Sequence, residues 1–353
     1  MRVVILGAEM SMNGASLMLC RWAEHLHGQG HDVGVVPRDF VPGPLEARFA
    51  AAGIEIITTE DVPLDNRTLV ICNTIFSAHL LLRASAYSRC IWWIHEGEAG
   101  RTVLKANPEL QQAFSHASAV IFPVPYLIEE IYRDFLLALP QEKLETIYVV
   151  RNGIDMPAEA SLQMESEGGP LRIATVGTLY PRKRQIDVVR AVAALPDLEL
   201  ECRLVGKAVD IDDDMRRIIY EDPDRVRLIG EVPYDQSLAV IDESDILVHP
   251  SGDEAFPLVL LEAGIRGKPL ILANLPVYRG IWRHGENCLM HAVGDVALLS
   301  GLISILARDP GLRARFGAAA QATARNYRYD GMLAHLDNIV ARVMGASERP
   351  ASS

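Results

Sequence analysis

Little in this sequence of 353 residues provides for a disulfide, a zinc ion or a membrane span. The five cysteines, Cys20, Cys72, Cys90, Cys202 and Cys288, are odd in number, scattered, and never two residues apart. That spacing suits neither a cystine framework nor a zinc site and points to a cytoplasmic, reducing setting. No run reaches the roughly 18 to 20 apolar residues that a membrane helix needs. The apolar start Met1 to Leu6 meets Glu9 and Asn13 too soon for a secretion signal, so it reads as a first buried strand. No Gly-x-Gly-x-x-Gly stands at the turn after that strand, which argues against a dinucleotide oxidoreductase, and the Gly-Lys-Ser/Thr of a P-loop is also missing. Basic charge is short as well. A net charge of −12 argues against nucleic acid, whose binding rests on Lys and Arg neutralising phosphates.

What the chain has is apolar material: 49% hydrophobic and 23% charged residues, enough for buried parallel sheets. Its length exceeds one typical core and suits two domains. Short β-branched runs alternate with helix-length amphipathic stretches, the pattern of βα units. In the first half the expected strands are Val3–Leu6, Asp32–Val36, Thr68–Asn73, Cys90–His95, Ala119–Phe122 and Thr146–Val150. In the second they are Arg172–Val176, Glu201–Val205, Val226–Leu228, Ile246–His249 and Pro269–Ala273. The two series predict an α/β protein of two Rossmann-like domains, 1–155 and 171–329. Pro157, Gly168, Gly169 and Pro170 mark a linker over 156–170. A last helix is expected over 330–347, and a disordered tail over 348–353.

Glu254 and Glu262 bracket the most informative stretch, Glu-Ala-Phe-Pro-Leu-Val-Leu-Leu-Glu. Glu254 falls in the loop Ser251 to Glu254, directly after the apolar run that ends at His249 and Pro250. Glu262 falls in a helix that Pro257 is suited to start, since a missing N–H costs nothing at a first helical position. The N–H groups of Leu258 and Val259 then point back towards the loop and attract phosphate. A carboxylate in that loop accepts hydrogen bonds from sugar hydroxyls, and one in the second helical turn accepts from a ribose diol. The arrangement reads as a nucleotide-sugar site. Arg182 and Lys183 follow another strand and project cations towards a diphosphate, where a leaving nucleoside diphosphate gains charge. Basic charge at a helix amino end calls for an anion to compensate it.

This motif and its surroundings resemble the retaining glycosyltransferases of family 4, which carry Glu-x7-Glu and have the GT-B fold. Val176 to Lys183 resembles the family's phosphate-binding segment, and Leu204-Val205-Gly206, Leu228 to Val232 and Gly285-Glu286-Asn287 follow in the family's order. Arg151 to Asp155 resembles the approach to its domain linker. The likeness is strongest over about residues 145–330. It implies two Rossmann-like domains facing each other across a cleft, with the last helix crossing back to the first. It implies a metal-independent hexosyltransferase without a cofactor, using a UDP-, GDP- or ADP-sugar and making polysaccharide or glycoconjugate. Glu254 would hold sugar hydroxyls and Glu262 ribose, while Arg182 and Lys183 stabilise the diphosphate and His95 contacts the donor sugar. Gly14, Gly206, Phe256, Leu258 and Val259 complete the donor site. Thr178 stands where many relatives have arginine, and Arg182 is a candidate to replace it.

Bland readings accompany these residues. Asn13 caps the first helix as readily as Gly14 admits phosphate, and His95 closes an apolar strand where a structural histidine is common. Glu96 and Glu98 resemble ordinary surface acids. The acidic run Asp210 to Asp214 contains an Asp-x-Asp, but it precedes a helix, where acids cap, so no metal is expected. Up to Asp155 there are 12 Lys+Arg against 18 Asp+Glu, which disfavours a membrane-docked lipid acceptor. Within the fold, a nucleotide-sugar 2-epimerase or a phosphorylase is the alternative; outside enzymology, an inactive scaffold.

Overall fold

The computed structural model describes residues 1–39, 41–59, 62, 64–157 and 169–345. Most of the linker expected over 156–170, and all of the tail expected over 348–353, lie outside these residues. The described chain divides into two compact units, one of Met1–Gly153 with the helix Tyr329–Gly345, the other of Ile154–Arg328.

In the first unit the strands are β1 (Arg2–Ala8), β2 (Asp32–Pro37), β3 (Glu55–Ile56), β4 (Thr68–Asn73), β5 (Arg89–Trp93), β6 (Ala119–Phe122) and β7 (Ile147–Val149). They form one parallel seven-stranded sheet in the order β3-β2-β1-β4-β5-β6-β7. Every residue of β4 is buried, as expected for a strand covered on both faces. Each Leu, Val or Ile so buried contributes about 1.5–3 kcal/mol. Trp22 of the helix Gly14–Gly28 meets Trp93 of β5 edge-on at 5.3 Å between ring centroids. The helix Tyr329–Gly345 joins this unit through Asp337, 2.9 Å from His25 Nε2, and through Tyr329, whose ring lies under Arg21.

The second unit holds β8 (Leu171–Val176), β9 (Leu200–Val205), β10 (Val226–Gly230), β11 (Ile246–His249), β12 (Leu270–Ala273) and β13 (Leu289–His291). These are parallel in the order β10-β9-β8-β11-β12-β13. In both sheets the chain builds outwards to one side and then returns to the first strand's other side. The reversals fall between β1 and β4 and between β8 and β11. Open parallel sheets bind ligands at such switch points, beyond the strands' carboxyl ends.

Two short strands, β3 and β13, of two and three residues, were not expected from the sequence. β5 ends at Trp93, so His95 lies two residues beyond the strand rather than closing it. Pro257 sits one residue ahead of its helix, Leu258–Ile265, as the extended N-cap with φ −75° and ψ 110°, and not at the first helical position. Asp212 caps the helix Asp213–Glu221 by accepting from the Asp214 N–H at 2.9 Å, and Asp214 pairs with Arg190 and Arg217. The acidic run is thus engaged in helix capping and ion pairs.

Gly206, directly after β9, has φ +140°, and a Cβ there would overlap the Gly177 carbonyl that follows β8. Gly206→Ala therefore combines backbone strain with a backbone clash. We expect it to destabilise the second unit by at least about 2 kcal/mol, read as a lower midpoint in urea unfolding.

Candidate active site

The switch point of the second sheet gathers the charged residues singled out above. From β8 the chain runs through Gly177 into a 3-10 turn, Pro181–Lys183, and from β11 through Pro250 into Ser251 to Glu254. The two loops are tied by the Gly252 N–H, which donates to the Arg182 carbonyl at 2.8 Å. Lys183 Nζ then lies 2.5 Å from Glu254 Oε1, and Glu254 is only 8% exposed. His249, the last residue of β11, places Nε2 3.0 Å from the same oxygen.

Burial pushes the Glu254 carboxyl up, but the Lys183 charge and the His249 hydrogen bond outweigh it and hold the group well below the usual carboxylate range. Burial pushes His249 the other way, favouring the neutral imidazole, although Glu254 opposes that shift. A neutral ring facing a carboxylate must present its N–H, so Nε2 carries the proton. Neither His249 nor this pairing was evident in the sequence, where His249 simply ends an apolar strand.

Arg182 is held nearby. Its guanidinium donates to the Asp253 carbonyl and to the Tyr180 hydroxyl, and lies 5.2 Å from the Tyr180 ring centroid. The anions that compensate this basic turn are therefore Glu254 and Asp253, together with Asp187, which binds Arg184 at 2.7 Å. The expectation of compensation holds, but side chains of the protein supply it.

Eight residues on, Glu262 is buried in the helix Leu258–Ile265 and accepts from the Tyr234 hydroxyl at 2.7 Å. Burial pushes its carboxyl up, and Tyr234 opposes this. Tyr234 is a second residue the sequence gave no sign of. Leu258 and Val259 open this helix, where the first N–H groups have no intrahelical acceptor. Phe256, half-buried, packs near Tyr327 with ring centroids 6.1 Å apart. Gly206 stands at the same edge, and the close approach of Gly177 accounts for the glycine.

The remaining candidates belong to the first unit. Asn13 caps the first helix through the Ser16 N–H at 2.9 Å, and Gly14 is that helix's first residue. His95 packs on Trp93 with ring centroids 4.6 Å apart. Its Nε2 is buried and has no hydrogen-bond partner among the described residues. Burial pushes its pKa down to about 3, so it is neutral. Glu96 differs from the exposed Glu98. It is half-buried, and its Oε2 accepts the N–H groups of Ile75 at 3.1 Å and His95 at 3.2 Å. Burial nevertheless pushes the Glu96 carboxyl up to about 7. A carboxyl perturbed this far beyond a strand's carboxyl end marks a functional candidate.

Known proteins resemble this chain in sequence and in fold. The profile described as "Glycosyl transferases group 1" matches residues 159–323, and that described as "Glycosyl-transferase family 4" matches residues 1–113. Mycobacterium tuberculosis glycogen synthase is 31% identical over 193 residues, which is 52% of this chain and 44% of that one. The phosphatidyl-myo-inositol mannosyltransferase of the same organism is 27% identical over 214 residues, 57% of this chain and 55% of that one. The chain thus spans about half the length of the curated relatives it matches. Among solved structures, Anabaena HepE in complex with UDP and glucose superposes with a TM-score of 0.79 at 20% identity, covering 97% of this chain and 99% of that one. Sucrose-phosphate synthase from Thermosynechococcus elongatus gives 0.73 at 18%, covering 98% and 100%. At such identities the likeness establishes the fold, GT-B. Among the described residues no helix is long and apolar enough to cross a membrane.

Lys183→Met withdraws the counter-charge of a buried carboxylate and leaves it the His249 hydrogen bond, and we expect a loss of about 3 kcal/mol at pH 7, with Lys183→Met/Glu254→Gln recovering much of it. Glu254 is depressed in the folded state, so the pair's stabilisation is present above the ordinary value of 4.5 and is lost as pH falls below it. Urea unfolding at pH 7 and pH 3 reads both effects. Glu96 has the opposite sign. With a folded value of about 7 against an ordinary 4.5, it binds more protons folded than unfolded, so it costs stability as pH rises through that window. Glu96→Gln should therefore stabilise the protein by about 1–3 kcal/mol at pH 8 and by almost nothing at pH 4.

Proposed function

We propose that this chain, which belongs to the group 1 and family 4 glycosyltransferases, is a retaining hexosyltransferase. It would move a sugar from a nucleoside-diphosphate sugar to an acceptor hydroxyl in polysaccharide or glycoconjugate synthesis. The observation that carries this reading is the meeting of Lys183 and Glu254 above the switch point of the second sheet, with Glu262 eight residues further on. One cation for the diphosphate, one carboxylate for sugar hydroxyls and one for ribose then lie on adjoining segments.

In this reading the bond from the sugar's anomeric carbon to the phosphate oxygen breaks, and its electron pair leaves with the nucleoside diphosphate. The acceptor oxygen bonds to that carbon on the same face, and the acceptor's proton passes to the departing phosphate. Lys183, with Arg182, stabilises the charge that develops, which favours the transition state over the bound donor. Glu254 orients the sugar without forming a covalent bond to it. Retention then gives an α-linkage from an α-linked donor.

His95 and Glu96 support assigning acceptor and sugar contacts to the first unit's carboxyl edge. A neutral imidazole serves as a hydrogen-bond partner for a hydroxyl, and the Glu96 carboxyl, held at Oε2 by two backbone N–H groups, has acceptor capacity remaining at its other oxygen. Glu9, close enough to act electrostatically on Glu96, is itself paired with Arg38. The neutral imidazole and the Glu96 carboxyl suit a hydroxyl-bearing acceptor.

A panel of UDP-, GDP- and ADP-sugars tests the proposal by thermal shift and by slow release of nucleoside diphosphate without acceptor. We expect one base to stabilise the protein and turn over, and Lys183→Ala and Glu262→Ala each to lose the shift, with at least about a hundred-fold loss of release in Lys183→Ala. No response to any donor would leave an inactive scaffold or a phosphorylase as the better account. Release of free nucleotide with an altered sugar would favour an epimerase.

A further inference from the structure

We infer that His249 is the positioning residue of this site, holding the Glu254 carboxylate in place and ionised while Lys183 turns to the donor's diphosphate. The inference rests on the donor-site reading and adds a role to a residue that touches neither phosphate nor ribose in that reading.

Lys183 Nζ and His249 Nε2 share one oxygen of Glu254, Oε1, at 2.5 and 3.0 Å. The two donors differ in how firmly they are mounted. His249 ends β11, pairs with Leu272 of β12, and is 3% exposed, so its ring has little room to move. Lys183 lies on a short turn at the end of a flexible four-carbon stem. A diphosphate competes with Glu254 for the lysine and, carrying more charge, draws it away. Without a second donor the carboxylate would then remain buried with its counter-charge withdrawn, and it would take up a proton. His249 prevents this because its hydrogen bond does not depend on the lysine's position. With Oε1 so occupied, Oε2 is left to accept from sugar hydroxyls.

Other charged groups around the pair do not duplicate this role. Arg182, on the same turn as Lys183, acts on His249 only electrostatically and is itself held by Tyr180 and the Asp253 carbonyl. Tyr278 and Asp253 stand close enough to interact with one another electrostatically, and Tyr278 also with Glu254. Burial pushes the Tyr278 hydroxyl upwards, so it stays protonated at neutral pH, and it makes no hydrogen bond to Glu254 among the described residues.

His249→Leu and His249→Gln decide the matter, with UDP or whichever nucleoside diphosphate the wild type binds as the probe. The glutamine amide nitrogen reaches about as far as Nε2; leucine offers no donor. We expect His249→Leu to lower the rate of nucleotide-sugar hydrolysis at least about ten-fold. Inhibition by the nucleoside diphosphate should stay within about two-fold of wild type, and the acid limb of the rate should move up by about one pH unit or more. His249→Gln should recover the rate to within a few-fold and return the acid limb. A leucine variant with wild-type rate and acid limb would overturn the inference, as would a glutamine variant as slow as leucine. Should leucine fail to fold, His249→Asn, polar but too short to reach Oε1, replaces it, with the same outcomes. A wild type that binds no nucleoside diphosphate would overturn the donor-site reading first, whereas normal nucleotide inhibition with an unaffected leucine variant would overturn only the role of His249.

Discussion

A buried carboxylate can be kept ionised only by partners close enough to replace water, and Glu254 depends on that constraint being met. Lys183 meets it from the loop after β8 and His249 from the last residue of β11, both at the carboxyl edge of one sheet. The loops are short, the strands beneath them are buried on both faces, and Gly206 lets the backbones after β8 and β9 come together. Fold and site are joined here. The parallel order that reverses between β8 and β11 brings residue 183 to residue 254, and the charge pair then fixes the loops that follow both strands.

In the proposed donor site the same arrangement separates roles that the chemistry needs separated. A cation free to shift between carboxylate and diphosphate suits a site in which charge develops on the leaving group. A neutral histidine fixed at a strand's end suits a carboxylate that must keep its position. Glu262, buried and lifted towards its neutral form, sits in the adjoining helix with Tyr234 on one oxygen. Three polar groups in three electrostatic settings thus lie within one short stretch of chain and its neighbours. On the first unit, Glu96 stores the opposite kind of tension. Its carboxyl is harder to ionise than water would make it, and a protein tolerates such a cost where the group serves function.

Much of this was legible in the sequence, for reasons that can be stated. Strands such as Thr68–Asn73 and Ile246–His249 matched residue for residue, because strands buried on both faces write themselves as unbroken apolar runs. β3 and β13, short strands at opposite edges of their sheets, were missed. The Glu-x7-Glu stretch and the Arg-Lys turn announced charged residues beyond strand ends, yet their partnership did not, since 71 residues separate Lys183 from Glu254. His249 and Tyr234 were silent for a related reason. A polar residue at the end of an apolar run, or at the start of a surface helix, is ordinary until the fold shows what faces it. The compensation of the basic turn was foreseen, but its source was not: pairing with Asp187, Asp253 and Glu254 is visible only in three dimensions.

A crystal structure with the nucleoside diphosphate bound tests the central claim most directly. The account predicts that Lys183 Nζ leaves Glu254 Oε1 for a phosphate oxygen while His249 Nε2 stays within hydrogen-bond distance of the carboxylate. Nucleotide bound away from the β8 and β11 loops, or a Lys183–Glu254 pair left unchanged beside it, would contradict the account.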